Sequence, residues 1–284
     1  MVTIPEERPG AGPEGLPGTR WQSFKAVLGQ RFGALVKINI WMLLFAIPAI
    51  LVFFLNAAEN AATLAAMPFS SNAGVGYPFF DDIVERGNYA VFLNGVKFAC
   101  LLVPALIIAG IGLAGGLHTV GLLFGAENVK VTRNFLKGIK RNGWQFCLGA
   151  AFLGIFIGLA VLFNAFRPVS GLSPFWSVFL QILVLAPVFI ALIFIMYLFT
   201  QTESYKLRFG PLLKNSLAFA AGKFLPNILF IVLSILPMSF LLFLSGNAFM
   251  SFLILFILGL FAFSYLALIW TIHTKHVYER AFNE

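Results

Sequence analysis

The chain has 284 residues, of which 60% are hydrophobic and 11% are charged, and its mean hydropathy is +0.92. These values lie outside the range of soluble globular domains and predict an integral membrane protein. The net charge of +8 does not indicate a nucleic-acid partner, because the basic residues flank apolar runs, where the usual excess of positive charge on one side of a membrane accounts for them.

The first 19 residues contain repeated Pro and Gly and no apolar run, which predicts a disordered cytoplasmic tail. We expect residues 20–284 to form a single transmembrane domain. Six apolar runs follow in chain order, each reaching about the 20 residues that a spanning helix needs. The predicted spans are residues 35–55, 92–123, 146–166, 175–200, 224–244 and 249–272, with an acidic extracytoplasmic loop at residues 56–90.

The distribution of basic residues tests this order of spans. The N-terminus, the loops after the second and fourth spans, and the C-terminus carry 5, 5, 4 and 2 of the 19 Lys and Arg residues. The other side carries only Arg86, Lys97 and Arg167. The positive-inside rule therefore predicts that both termini are cytoplasmic. The expected fold class is an all-α polytopic membrane helix bundle with about six transmembrane helices and cytoplasmic amphipathic helices.

Two basic segments stand out between the spans. Residues 128–144 carry five cations and no acid, and as a helix they would place apolar side chains on one side and cations on the other. This pattern is typical of a helix lying in the membrane interface. The second segment lies between the fourth and fifth spans. The cations of both segments are candidates for docking a partner protein or anionic lipid: Arg133, Lys137, Lys140, Arg141, Lys206, Arg208 and Lys214.

Polar side chains are scarce in the predicted spans, which contain no Asp, Glu, Lys or Arg near their centres. Ion-coupled carriers usually place ionisable groups there. The remaining candidates to line a cavity are Asn39, His118, Gln181 and Tyr265. For His118 both a packing role and a functional role stay open.

Glycine pairs in the second and third spans have the small-xxx-small spacing that permits close helix packing. They are Gly112 with Gly116, Gly121 with Gly125, and Gly154 with Gly158.

Motifs of soluble enzymes are absent from the sequence, including the nucleophile elbow of hydrolases, the zinc-protease motif and the phosphate-binding loop. Two cysteines and three histidines also argue against a structural zinc site. We therefore expect no enzymatic activity, no catalytic residues, no metal and no cofactor.

Three stretches together carry a family resemblance. Residues 37–48 contain Asn39, Trp41 and Pro48, residues 115–127 form a small-residue segment that ends in Ala-Glu before the basic stretch, and residues 206–220 contain an Arg-Phe followed by Leu-Lys-Asn. In this order they resemble the YesL-like family of bacterial integral membrane proteins of unknown function. Residues 51–109 are a departure, because in many members the first proline leads almost directly to the small-residue helix.

The resemblance implies association with carbohydrate ABC transporters and implies no catalytic residues. The expected function is thus a non-enzymatic accessory or scaffold component of a carbohydrate uptake system in the bacterial cell membrane. Membrane lipid and ABC transporter subunits are the expected partners. The alternative is a transporter or permease subunit that itself forms a solute pathway. The sequence leaves the oligomeric state open.

Overall fold

A computed structural model of the chain describes residues 6–7, 19–65, 83–124, 129–167, 170–243 and 248–283. These residues form seven α-helices and one antiparallel two-stranded ribbon, which confirms the predicted all-α polytopic bundle. The helices are α1 (Arg20–Ala65), α2 (Ile83–Leu122), α3 (Val131–Phe166), α4 (Pro174–Ser204), α5 (Phe209–Gly222), α6 (Phe224–Phe243) and α7 (Ala248–Asn283), and the strands are β1 (Glu6–Glu7) and β2 (Tyr205–Lys206).

Five of the described helices are long and apolar enough to cross a membrane, or six if α5 and the start of α6 form one span bent by 83°. The chain is therefore a multi-pass membrane protein. Large apolar side chains along α4 are exposed, among them Phe175 at 71%, Ile182 at 64% and Leu183 at 57%. Exposed apolar surface of this extent suits lipid contact and would be costly in water.

Helix α1 begins well before the predicted first span. The hydroxyl of Thr19 accepts a bond from the Gln22 N–H at 3.4 Å, and the Gln22 amide oxygen accepts one from the Thr19 N–H at 2.8 Å. This reciprocal pair is a capping box, which satisfies backbone donors at the helix start. Non-helical dihedrals at Arg31 (φ −127°, ψ 20°) mark a kink in α1 shortly before the predicted start of the first span.

Parts of the predicted tail and of the predicted acidic loop have regular secondary structure. In the tail, β1 pairs with β2 and places Glu6 opposite Lys206. In the loop, residues 56–65 belong to α1 and residues 83–90 belong to α2. The rest of the tail up to residue 18, and residues 66–82 of the loop, lie outside the described residues.

The first basic stretch does not form a separate helix, so the prediction that it lies as a helix in the membrane interface is wrong. Helix α3 runs without a break from the start of the stretch through the third span. The roughly four turns before the span are therefore a polar extension of a spanning helix. The second basic segment does contain a separate helix, the 14-residue α5.

The chain divides into two compact units, and α1 to α4 each contribute a segment to both. The first unit comprises Met1–Phe45, Ala109–Gly149 and Leu192–Glu284, and the second comprises Ala46–Ile108 and Ala150–Ala191. The core of the first unit is rich in aromatic rings. Phe146 of α3 stacks on Phe199 of α4 with 4.1 Å between ring centroids.

The second unit is held by polar contacts at one end of the α1 and α2 segments. The Asn94 amide donates to the side-chain oxygens of Asn60 and Thr63, both at 3.2 Å. Lys97 forms an exposed ion pair with Glu59 at 2.9 Å. Close approach of α2 to α3 depends on Gly95, where an added Cβ would lie 2.4 Å from a side-chain carbon of α3.

The predicted glycine pairs differ in how tightly they pack. A Cβ added at Gly112 or Gly116 would lie 2.4 Å from a side chain of α1, so this pair permits the close helix packing expected of it. At Gly154 and Gly158 the nearest atoms are 3.4 and 3.8 Å away, which is ordinary contact. Gly121 has no atom within 4 Å of such a Cβ. Its predicted partner Gly125 lies outside the described residues.

Candidate functional site

A buried carboxylate lies in the last turn of α4. The Glu203 side chain is 9% exposed, and both of its oxygens have partners. Oε1 contacts the Arg141 guanidinium and His118 Nδ1, the latter at 2.5 Å, and Oε2 accepts a bond from the Asn142 amide at 2.7 Å. We call these four residues the Glu203 cluster. It joins α2, α3 and α4 within the first unit.

Glycine brings α3 close enough to α2 for the cluster to form. A Cβ at Gly138 would lie 2.5 Å from the His118 Cβ and 2.9 Å from the Ala114 carbonyl oxygen, so no larger residue fits without movement. Arg141 and Asn142 follow Gly138 by three and four residues and therefore share its face of the helix. The contact that requires a glycine thus also directs these two side chains towards α2 and α4.

The donors and acceptors of the cluster fit one tautomer of His118. The carboxylate only accepts and the guanidinium only donates, so Nδ1–H donates to Glu203. The 3.1 Å approach of the Arg141 Nη2 to Nδ1 is then a close contact and not a second hydrogen bond. Nη2 also donates to the Glu203 backbone oxygen at 3.2 Å, which satisfies a carbonyl at the end of α4.

The electrostatic role of the cluster follows from its burial. Arg141 keeps 27% of its side chain exposed, whereas His118 and Glu203 are almost fully enclosed. A buried ion pair adds little net stability, but removing one partner leaves an uncompensated charge and is strongly destabilising. The Glu203 cluster therefore stabilises the packing of α2, α3 and α4 against one another.

The space that the described residues leave beside the carboxylate is small. A cavity of about 10 Å³ lies beside Glu203, lined also by Thr200, Ser204, Thr271 and Lys275. Ordinary ligand pockets have volumes of about 300 Å³ or more. Among the described residues, no group of three metal-binding side chains occurs.

The predicted docking cations differ in how far they are exposed. Arg133, Lys137 and Lys140 are exposed on one face of α3, as expected. Arg141 lies about 100° around the helix from Lys140, at the edge of that face, and its guanidinium binds Glu203. We correct its assignment: Arg141 belongs to the Glu203 cluster. The candidates of the second segment are exposed, namely Lys206, Arg208 and Lys214.

The four predicted cavity residues do not line a common cavity among those that the structure describes. Asn39 is fully buried and bonds the α7 backbone, donating to the Gly259 oxygen at 2.5 Å and accepting from the Ser264 N–H at 2.9 Å. His118 belongs to the Glu203 cluster. Tyr265 lines an apolar cavity of the first unit.

Gln181 belongs to the second unit, where its side-chain oxygen accepts a bond from Arg167 at 2.8 Å. It lines a separate cavity of about 320 Å³ together with Asn164 and apolar residues of α3 and α4. Neither this cavity nor that of Tyr265 includes Asn39 or His118 in its lining.

A second buried polar cluster explains the bend between α5 and α6. The Asn227 amide donates to the last carbonyls of α5, at 3.3 Å from Phe219 and 3.4 Å from Ala220. Its oxygen accepts a bond from the Tyr197 hydroxyl at 2.7 Å and lies 3.1 Å from His273 Nε2. One side chain of α6 thus caps α5 and contacts α4 and α7.

Sequence reasoning missed Glu203, Asn142 and Asn227 as site residues. The predicted fourth span ends at residue 200, which leaves Glu203 outside it. In the structure α4 continues to Ser204. The available signal was the polar run from Thr200 to Ser204, which continues the helical register of α4 and includes a single acid.

Comparisons of the chain with protein-family models, with curated proteins and with solved structures found no match. The resemblance to the YesL-like family therefore stays a prediction from the sequence.

Proposed function

We propose that this protein is a non-enzymatic accessory or scaffold component of a bacterial carbohydrate uptake system, and that it docks an ABC transporter subunit through its exposed cations. The link to carbohydrate uptake and to bacteria rests on the resemblance to the YesL-like family. The proposal also places the protein in the cell membrane with both termini in the cytoplasm, because 16 of its 19 Lys and Arg residues would then face the cytoplasm.

One contact carries the docking proposal. The rings of Trp144 on α3 and Phe209 on α5 lie 5.5 Å apart, which joins two basic segments that are distant in sequence. Lys140 lies one helical turn before Trp144, and Arg208 directly precedes Phe209. We call the exposed cations of the two segments the basic surface: Arg133, Lys137, Lys140, Lys206, Arg208 and Lys214.

The Glu203 cluster supports this role because it fixes the helix that carries half of the basic surface. Recognition surfaces on rigid elements lose less conformational freedom on binding than surfaces on loops. Arg141 holds α3 against α2 and α4, while the neighbouring Lys137 and Lys140 stay exposed. The cluster thus supplies rigidity and the basic surface supplies charge for an acidic partner.

The test is co-purification from native membranes with reversal of charge on α3. The variant Arg133→Glu, Lys137→Glu, Lys140→Glu should lose a transporter subunit that the unaltered protein retains in stoichiometric amount. The matched control Arg133→Lys, Lys137→Arg, Lys140→Arg keeps the charge and should retain the subunit. Because these cations also direct insertion, the side of the C-terminus is measured for each protein.

Two outcomes contradict the proposal. One is equal recovery of the subunit with the reversed and the control variant when both insert in the same orientation. The other is purification of the unaltered protein without any stoichiometric partner. Solute flux into proteoliposomes that contain this chain alone would favour the alternative, a transporter or permease subunit.

A further inference from the structure

An apolar cavity of about 320 Å³ lies in the first unit between the start of α1, the first half of α6 and the middle of α7. It is separate from the Glu203 cluster and from the basic surface, with which it shares no lining residue. Its volume falls at the lower end of the range of ligand-binding pockets. Among the eight described residues that line it, one is charged, Arg20, and most of the others are aromatic or aliphatic.

The cavity is polar at one end and apolar along its length. The guanidinium carbon of Arg20 lies 5.9 Å from the centre of the Phe230 ring, at the end where α1 begins. One turn further along α1, Phe24 meets Tyr265 edge to face at 6.1 Å. The wall formed by α7 extends from Tyr265 to Ile272, which is about 10 Å at 1.5 Å per residue.

This arrangement matches an amphiphile with an anionic head. Guanidinium groups bind phosphate through several N–H donors, whereas the aliphatic and aromatic walls suit a hydrocarbon chain. Arg20 is in the first turn of α1, where the partial positive charge of the helix start also favours an anion. The neighbouring cation Lys25 is not in the lining, and its amine lies 5.0 Å from the ring centre of Trp21, so it serves as a control for Arg20.

The surroundings favour a membrane lipid as the source of this amphiphile. Trp21 lines the cavity and is 60% exposed, and tryptophan at a helix end is typical of the boundary between headgroups and hydrocarbon. Further along α1, Phe32 is 55% exposed, as on a surface that faces lipid. A phospholipid in the bilayer could thus place its headgroup at Arg20 and one acyl chain along α7.

We propose that the cavity between α1, α6 and α7 is a binding site for one anionic phospholipid, with its phosphate at Arg20 and an acyl chain along the wall that Phe24 and Tyr265 form. The site is independent of the docking function proposed above. Bound lipid bridges three helices of the first unit, so it also contributes to the stability of their packing.

The experiment uses the full-length protein in phosphatidylcholine vesicles with a photoreactive phosphatidylglycerol that carries a diazirine in its acyl chain. Labelled peptides are identified by mass spectrometry. Labelling should concentrate on the peptides containing Phe24 and Tyr265. Unlabelled phosphatidylglycerol should compete for these peptides at least fivefold more effectively than phosphatidylcholine.

Three variants separate headgroup from chain. Arg20→Gln should lower labelling of these peptides about fivefold at subsaturating probe, the effect expected for one cation near an anionic headgroup. Lys25→Gln, which removes a cation outside the lining, should change it less than twofold. Ser234→Leu extends a side chain into the cavity and should lower labelling while Arg20 is intact. Thermal unfolding in detergent checks that each variant is folded.

The proposal is overturned if the label spreads evenly over the exposed faces of α3 and α4, which would indicate general contact with bilayer lipid. It is also overturned if phosphatidylcholine competes as well as phosphatidylglycerol, or if Arg20→Gln and Lys25→Gln have equal effects. The competition experiment needs no variant, so it decides the matter even if a substitution prevents folding.

Discussion

Replacement of Glu203 by Gln tests whether the Glu203 cluster stabilises the packing of α2, α3 and α4. The substitution keeps the size of the side chain but removes the negative charge that Arg141 and His118 contact. The guanidinium of Arg141 then stays largely enclosed with no opposite charge. Only one oxygen remains, so if the Asn142 amide donates to it, the new NH2 group faces the donors of Arg141 and His118, and their hydrogen bonds are lost together with the charge.

The expected cost follows from burial. Removing one partner of a buried ion pair costs about 3–5 kcal/mol. Arg141 keeps 27% of its side chain exposed, and water screens part of its charge, so we expect the lower end, about 3 kcal/mol. Arg141→Met should cost a similar amount, because it leaves the Glu203 carboxylate buried without its cation.

A double-mutant cycle isolates the interaction from the individual effects. With both substitutions present no unpaired charge remains, and the double variant should cost about 2 kcal/mol less than the sum of the single variants. Lys140→Gln is the matched control, because this cation is adjacent to Arg141 but exposed, and it should change stability by less than about 0.5 kcal/mol.

The measurement is the free energy of unfolding in mixed detergent micelles, titrated with SDS and followed by tryptophan fluorescence. A coupling energy near zero between positions 203 and 141 would refute the ion pair. A cost for Lys140→Gln equal to that of Arg141→Met would refute the claim that Arg141, and not the exposed Lys140 beside it, stabilises the helix packing.

Two further predictions use the same unfolding measurement. Gly138→Ala should destabilise the protein by about 1–3 kcal/mol, because the added methyl group would overlap α2. Gly121→Ala, where the new Cβ has no atom within 4 Å, should be neutral or stabilise the protein by up to about 1 kcal/mol. Equal effects at both sites would contradict the close contact at Gly138. Asn227→Leu should cost about 2–3 kcal/mol, since it leaves the Tyr197 hydroxyl and the end of α5 without their partner. Tyr197→Phe should cost only about 1 kcal/mol, because it removes a single hydrogen bond. A larger cost for Tyr197→Phe than for Asn227→Leu would contradict the central role of Asn227 in that cluster.

Periodicity and charge predicted part of the candidate site. The exposed positions of Arg133, Lys137 and Lys140 follow from helical spacing alone, because these residues share the polar face of an amphipathic segment. Arg141 was assigned to the same face and lies at its edge. At that edge a long side chain turns towards a partner group on a neighbouring helix if one is present. Residue spacing within one helix does not show whether such a partner exists.

By itself, the sequence determined that this is a multi-pass membrane protein with about six apolar helices, because the length of an apolar run and the charge beside it are local properties of the chain. Tertiary structure alone decided that Glu203 meets His118 and Arg141, which are 85 and 62 residues away along the chain. It also decided that α3 continues from the basic stretch into its span and that Asn227 caps α5. Such contacts depend on how closely helices approach, and a glycine such as Gly138 sets that distance only against a specific neighbour.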